Sequence, residues 1–204
     1  MLETTLEVSV AVPLPGRDVH AFMATPDHWA AASAVTERIE GERTDRPATL
    51  GQTFADVLRL GPDATTTVRW TVTRDDPGVA WQISANPPAS TDPVDGRIHV
   101  TVTYTYTYTY TYTYGDGDGD GPSGHAPDPT GHAADLAAEA EAGPDAVTPQ
   151  ARTTLLTRTV RATYLGNALL PLPYRDVFTN QAVAAGFLAA MRDGMLARHR
   201  RTTA

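Results

Sequence analysis

Leu2-Glu3-Thr4-Thr5-Leu6-Glu7-Val8-Ser9-Val10-Ala11-Val12 opens the chain, and its reading decides the fold together with Thr25-Pro26-Asp27-His28-Trp29 a little further on. The first stretch alternates strictly. Leu2, Thr4, Leu6, Val8, Val10 and Val12 fall on one face, and Glu3, Thr5, Glu7 and Ser9 on the other, the pattern of a half-buried strand. Pro13-Leu14-Pro15-Gly16 ends it. Two short helices are expected next. The first carries Val19, Phe22 and Met23 on one side. The second starts with Thr25 as N-cap, Pro26 at the first helical position and Asp27 in the first turn. Trp29 near its start reads as a plug between these helices and a sheet.

Strand patterns then dominate. Short runs at 36–43, 51–60 and 65–74 are separated by turn signals such as Gly61-Pro62-Asp63. Val68, Trp70 and Val72 share a face. After Asp75-Asp76-Pro77-Gly78, Val79, Trp81, Ile83 and Ala85 alternate. Ile98, Val100 and Val102 lead into Tyr104, Tyr106, Tyr108, Tyr110, Tyr112 and Tyr114, with threonine at every position between the tyrosines. Period two puts the tyrosines on one face and the threonines on the other. A strand over 97–114 would reach about 59 Å at ~3.3 Å per residue, far beyond a compact core.

Residues 115–150 break every pattern, with seven glycines, five prolines and no aromatic residue. Such a segment lacks the apolar surface to offset its ordering entropy and is expected to be a disordered insertion. It also holds eight of the 24 acidic residues and no arginine, so it carries the whole net charge of −8 and leaves a neutral body. Alternation resumes over 153–165, which makes 115–150 the overgrown loop of the last hairpin. A helix is expected from about Pro173 to Arg200, its inner stripe being Val177, Phe178, Gln181, Ala184, Ala185, Leu188, Met191 and Met195.

Several function classes are excluded. The chain has no cysteine, hence no disulfide, thiolate metal site or cysteine nucleophile. All 16 basic residues are arginine, which rules out Schiff-base chemistry and a lysine phosphate loop. A neutral body without a basic stripe argues against nucleic acid as partner. The N-terminal sequence lacks the features of a signal peptide, and no apolar run is long enough to span a bilayer; a cytoplasmic location is expected. Asp116-Gly117-Asp118-Gly119-Asp120-Gly121 imitates a calcium loop, but Pro127 stands where the bidentate glutamate belongs. No metal and no cofactor are expected.

The layout of one strand, two short helices, six strands and a long C-terminal helix resembles the START-like (SRPBCC; polyketide cyclase/dehydrase and lipid-transport) superfamily. The residues that carry the resemblance are the opening strand, the segment from Asp18 to Trp29, Leu50-Gly51-Gln52-Thr53-Phe54, Trp70 to Pro77, and the helix ending near His199. The resemblance covers 1–114 and 151–200. It implies an α+β helix-grip fold, a curved antiparallel sheet of about seven strands around the C-terminal helix, with residues 1–114 and 151–204 forming one domain. It also implies a cavity between sheet and helix for an apolar or aromatic small molecule. The Tyr-rich strand and the insertion depart from the family pattern.

The expected ligand-binding residues are Trp70, Trp81, Val100, Val102, Tyr104, Tyr106, Phe178, Leu188 and Met191, for each of which plain core packing is the competing reading. Arg69 and His99 fall out of phase with their apolar neighbours and should point outward. Arg158 and Arg161 lie on opposite faces of the last strand, and the pattern does not choose which faces in; an inward arginine would anchor a carboxylate or phenolate. No residue is assigned a catalytic role. Three functions stand open: binding of a small apolar, aromatic or lipid-like molecule; a polyketide cyclase or dehydratase, in which Tyr104 or an inward arginine orients a poly-carbonyl chain; and a protein-interaction module. The last would use the Tyr/Thr hairpin, which is also the candidate surface for homo-oligomer formation.

Overall fold

The computed structural model describes residues 2–61, 64–85, 96–112, 149–166 and 180–203. The expected turn at 62–63, the Pro-rich loop at 86–95, most of the insertion and residues 167–179 lie outside them. The chain forms two compact units, one of Met1–Thr109 with Thr153–Ala204 and one of Tyr110–Arg152. The described residues of the second unit are the end of one strand and the start of the next.

Seven strands make one antiparallel sheet: β1 (Leu2–Val12), β2 (Thr36–Glu40), β3 (Thr53–Gly61), β4 (Ala64–Asp76), β5 (Ala80–Ala85), β6 (Gly96–Tyr112) and β7 (Pro149–Gly166). Their order is β1-β7-β6-β5-β4-β3-β2, a meander closed by the first strand. Helix α1 (Gly16–Met23), a 3₁₀ turn (Pro26–His28) and α2 (Trp29–Ala32) follow β1, and α3 (Gln181–Thr203) ends the described chain.

The alternation of β1 works as its sequence dictates. Val8 and Val12 are buried, Leu6 and Val10 pack against the core, and Glu3, Thr5, Glu7 and Ser9 are exposed. On the outer face Ser9 pairs with Thr157 (Oγ–Oγ1 2.8 Å), and the Thr159 hydroxyl donates to Glu7 Oε2 at 3.2 Å. The inner face of β7 is Thr154, Leu156, Arg158, Val160 and Ala162, which leaves Arg161 exposed. The register thus resolves the arginine question in favour of Arg158.

Four local expectations change. Thr25 occupies the N-cap position but its hydroxyl donates to the Ala21 carbonyl at 2.8 Å, tying the turn back to α1 instead of capping forward. Val79 lies in the Pro77-Gly78 turn, half-exposed, and β5 starts one residue later; Gly78 takes the positive φ of 76° that this turn requires. β7 takes in Pro149 and Gln150, which composition groups with the insertion. The C-terminal helix begins at Gln181, where the Asn180 side-chain oxygen accepts from the backbone N–H of Ala182 (2.9 Å) and Val183 (3.2 Å), a side-chain N-cap, so the expected helix is interrupted at Asn180 and its part over 173–179 lies outside the described residues. Along α3 Ala184, Leu188, Met191 and Met195 are buried, whereas Gln181 and Ala185 are exposed; Val177 and Phe178 lie outside the described residues.

Two histidines fix the short helices. His20 Nε2 lies 3.1 Å from Asp75 Oδ1, beneath Tyr106. His28 donates from Nδ1 to the Phe22 carbonyl (2.9 Å) and accepts at Nε2 from Arg198 of α3 (2.9 Å), an arrangement that needs the neutral ring. Burial lowers the pKa of both.

Candidate functional site

A cavity of about 550 Å³ opens between the inner face of the sheet, α2 and the first turns of α3. Its wall is built from period-two positions. β4 contributes Trp70, β5 Ile83 and β6 Val102 and Tyr104, successive inward residues of neighbouring strands. β3 adds Asp56 and Leu58, in phase with the buried Phe54. Trp29, Ala32 and Val35 close one side, and Ala184, Gly186 and Phe187 of α3 close the roof.

Aromatic packing shapes the floor. Trp29 contacts Phe54, Trp81, Tyr104 and Phe187 with ring centroids 5.5–6.4 Å apart, and its indole donates to the Met23 carbonyl at 2.9 Å. It therefore plugs the helices to the sheet and also faces the cavity. Trp81 is fully buried and donates to the Ala48 carbonyl at 3.0 Å, which anchors the β2–β3 connection.

Polar groups converge on this apolar wall. Arg158 is buried, its Nε donates to the Tyr104 hydroxyl at 3.4 Å, and its guanidinium carbon stands 5.5 Å from the Phe187 ring centroid. Burial raises the Tyr104 pKa against the pull of Arg158. Asp56 is 6% exposed, and burial pushes its carboxyl up to about 6, although the Thr36 and Trp70 side chains favour the ionised form. A carboxyl that titrates at about 6 on the same wall as a tyrosine hydroxyl and an arginine can take up or release a proton within a largely apolar chamber.

Of the residues expected to bind ligand, Trp70, Val102 and Tyr104 line this cavity. Trp81, Val100, Leu188 and Met191 are buried in the core cluster, and Tyr106 packs on His20 at 5.4 Å. Phe178 lies outside the described residues. Arg69 and His99 are exposed, as their phase requires. Sequence reasoning missed Asp56 and Phe187. Asp56 had a visible signal, since Phe54, Asp56 and Leu58 share one strand face. Phe187 precedes the buried Leu188 at the edge of the helix stripe. Among the described residues no group of three or more metal-ligating side chains is present, and no helix is long and apolar enough to cross a membrane.

No family model and no curated protein matches the sequence. Solved structures do match the fold. A point mutant of norcoclaurine synthase from Thalictrum flavum, in complex with a transition-state analogue, superposes with a TM-score of 0.53 at 8% identity, covering 97% of each chain. The truncated norcoclaurine synthase of the same plant gives 0.50 at 8% identity, over 96% of this chain and 94% of that one. Protein MLL2253 from Mesorhizobium loti gives 0.49 at 13% identity, over 96% and 98%. The sheet order, the short helices after β1 and the long terminal helix, together with the synthase superpositions, give this chain the Bet v 1/START-like helix-grip fold.

Proposed function

We propose that this chain, as a member of the START-like (SRPBCC) superfamily, binds a small apolar or aromatic molecule in the cavity between its sheet and C-terminal helix. The observation that carries the reading is the cavity itself. It has about 550 Å³ of space behind a largely apolar and aromatic wall, with Asp56, Tyr104 and Arg158 grouped on it. That volume and that sparse polarity suit a drug-sized ligand. Apolar area would supply most of the affinity and the polar group its orientation. The test is native mass spectrometry of freshly purified protein, followed by thermal melting with a panel of apolar and aromatic molecules. A co-purifying mass or a rise in melting temperature is expected. Absence of both across the panel overturns the reading.

Asp56 favours a second reading, an enzyme of the polyketide cyclase or dehydratase type. A buried carboxyl with its pKa near 6 can move a proton at neutral pH, while Tyr104 and Arg158 hold a carbonyl oxygen of the chain. The structural neighbour described as a synthase bound to a transition-state analogue supports chemistry on this fold. This reading predicts product formation from a poly-carbonyl substrate, slowed in Tyr104→Phe. Unchanged substrate with wild-type protein excludes it.

A further inference from the structure

We infer that the cavity ligand carries an ionised oxygen on its apolar body, a carboxylate or an acidic phenolate or enolate, and that this oxygen pairs with Arg158 and Tyr104. The inference deepens the proposed binding function and rests on it.

Arg158 is only 8% exposed and lines the cavity. The side-chain hydrogen bond and ring contact it makes among the described residues are to the Tyr104 hydroxyl at 3.4 Å and the Phe187 ring. Neither carries negative charge. No carboxylate of the described residues comes within 4.0 Å of it, since every ion pair among them involves another cation. The carboxyl on the same wall, Asp56, is not one of its ion-pair partners.

A guanidinium removed from water without an anion is costly, and unlike lysine or histidine it cannot escape by losing its proton. Its planar fork of N–H groups matches a two-oxygen anion. Tyr104 adds to the same cradle. Because its oxygen accepts from Arg158, its own proton is left to donate. The pair thus offers donors only, and the rest of the wall is mostly aromatic and aliphatic apart from the Asp56 carboxyl, which is not in contact with the guanidinium. An anionic oxygen on an apolar body suits both parts of the wall, whereas a neutral hydrocarbon would leave the guanidinium with no anion in contact among the described residues.

The experiment is isothermal titration of the full chain at pH 7.5 with 2-naphthoate and with methyl 2-naphthoate, the same body with its charge removed. Wild-type protein is expected to bind the carboxylate at least about tenfold tighter, the size of one charge-assisted hydrogen bond. Arg158→Gln should bring the two affinities within about twofold while ester binding persists. Tyr104→Phe, which keeps the ring and is the safer fold, should shrink the preference about threefold or more. Equal affinity in wild type, or a preference that survives Arg158→Gln, overturns the inference and leaves the cavity reading standing. Failure of both compounds to bind counts against the cavity reading itself.

Discussion

Asp56 has the most consequential environment of any single residue. Its carboxyl is buried and its pKa rises from 3.8 to about 6, so the folded state holds a proton that the unfolded chain has released. The stabilisation from this group is complete below about pH 4 and disappears as pH rises through 6, a loss of about 3 kcal/mol by the linkage relation. Asp56→Asn keeps the shape without the charge. It should be more stable than wild type at pH 7.5 and indistinguishable at pH 4. Urea titrations of both proteins across this range are the check, with their difference as the readout. That difference removes the contribution of His20 and His28, whose lowered pKa values act with the opposite sign. Equal stability at pH 7.5 would mean that Asp56 is ionised at no cost.

Helix α3 sets the scale above. It contains two glycines with different surroundings. A Cβ at Gly186 meets nothing within 4 Å, while one at Gly194 meets Phe22 Cζ at 3.1 Å. Phe22 would have to shift by a few tenths of an ångström, which disturbs its stack on His28 at 3.9 Å. Gly186→Ala should therefore recover the full helix-propensity gain of about 1 kcal/mol, and Gly194→Ala less than half of it. Thermal melts of the two variants decide this; an equal gain would show that Phe22 moves freely. Much at this scale was legible in sequence. Period two located β1, β4 and β6, because one buried face demands it, and Leu188, Met191 and Met195 marked the inner side of α3. Three things were not legible. The inward arginine depends on pairing between strands distant in sequence, so Arg158 and Arg161 looked equivalent. The start of α3 depends on whether Asn180 turns its side chain onto the backbone, which Pro173 upstream obscured. Asp56 shared the phase of Phe54 and Leu58, but a carboxylate in a strand pattern reads as outward until its burial is seen.

At the scale of the whole molecule, charge and composition divide in the same way. The negative excess sits in 115–150 and the rest of the chain is neutral. Treating that segment as an insertion that adds nothing to folding carries a direct test. Replacing Gly115–Thr148 with a short Asn-Gly turn, which keeps all of β7, should leave the melting temperature and 2-naphthoate affinity unchanged. If the segment serves self-association, sedimentation of the shortened chain will reveal it by a loss of oligomer. A large fall in stability would instead show that the segment belongs to the folded body.

Trp29 and Trp70 border the chamber, whereas Trp81 is sealed behind them on the Ala48 carbonyl. Two of the three indoles in the chain thus stand where an occupant would touch them, and the third is in ring contact with Trp29 at 5.9 Å. Intrinsic emission can follow filling and emptying of the site without any attached dye.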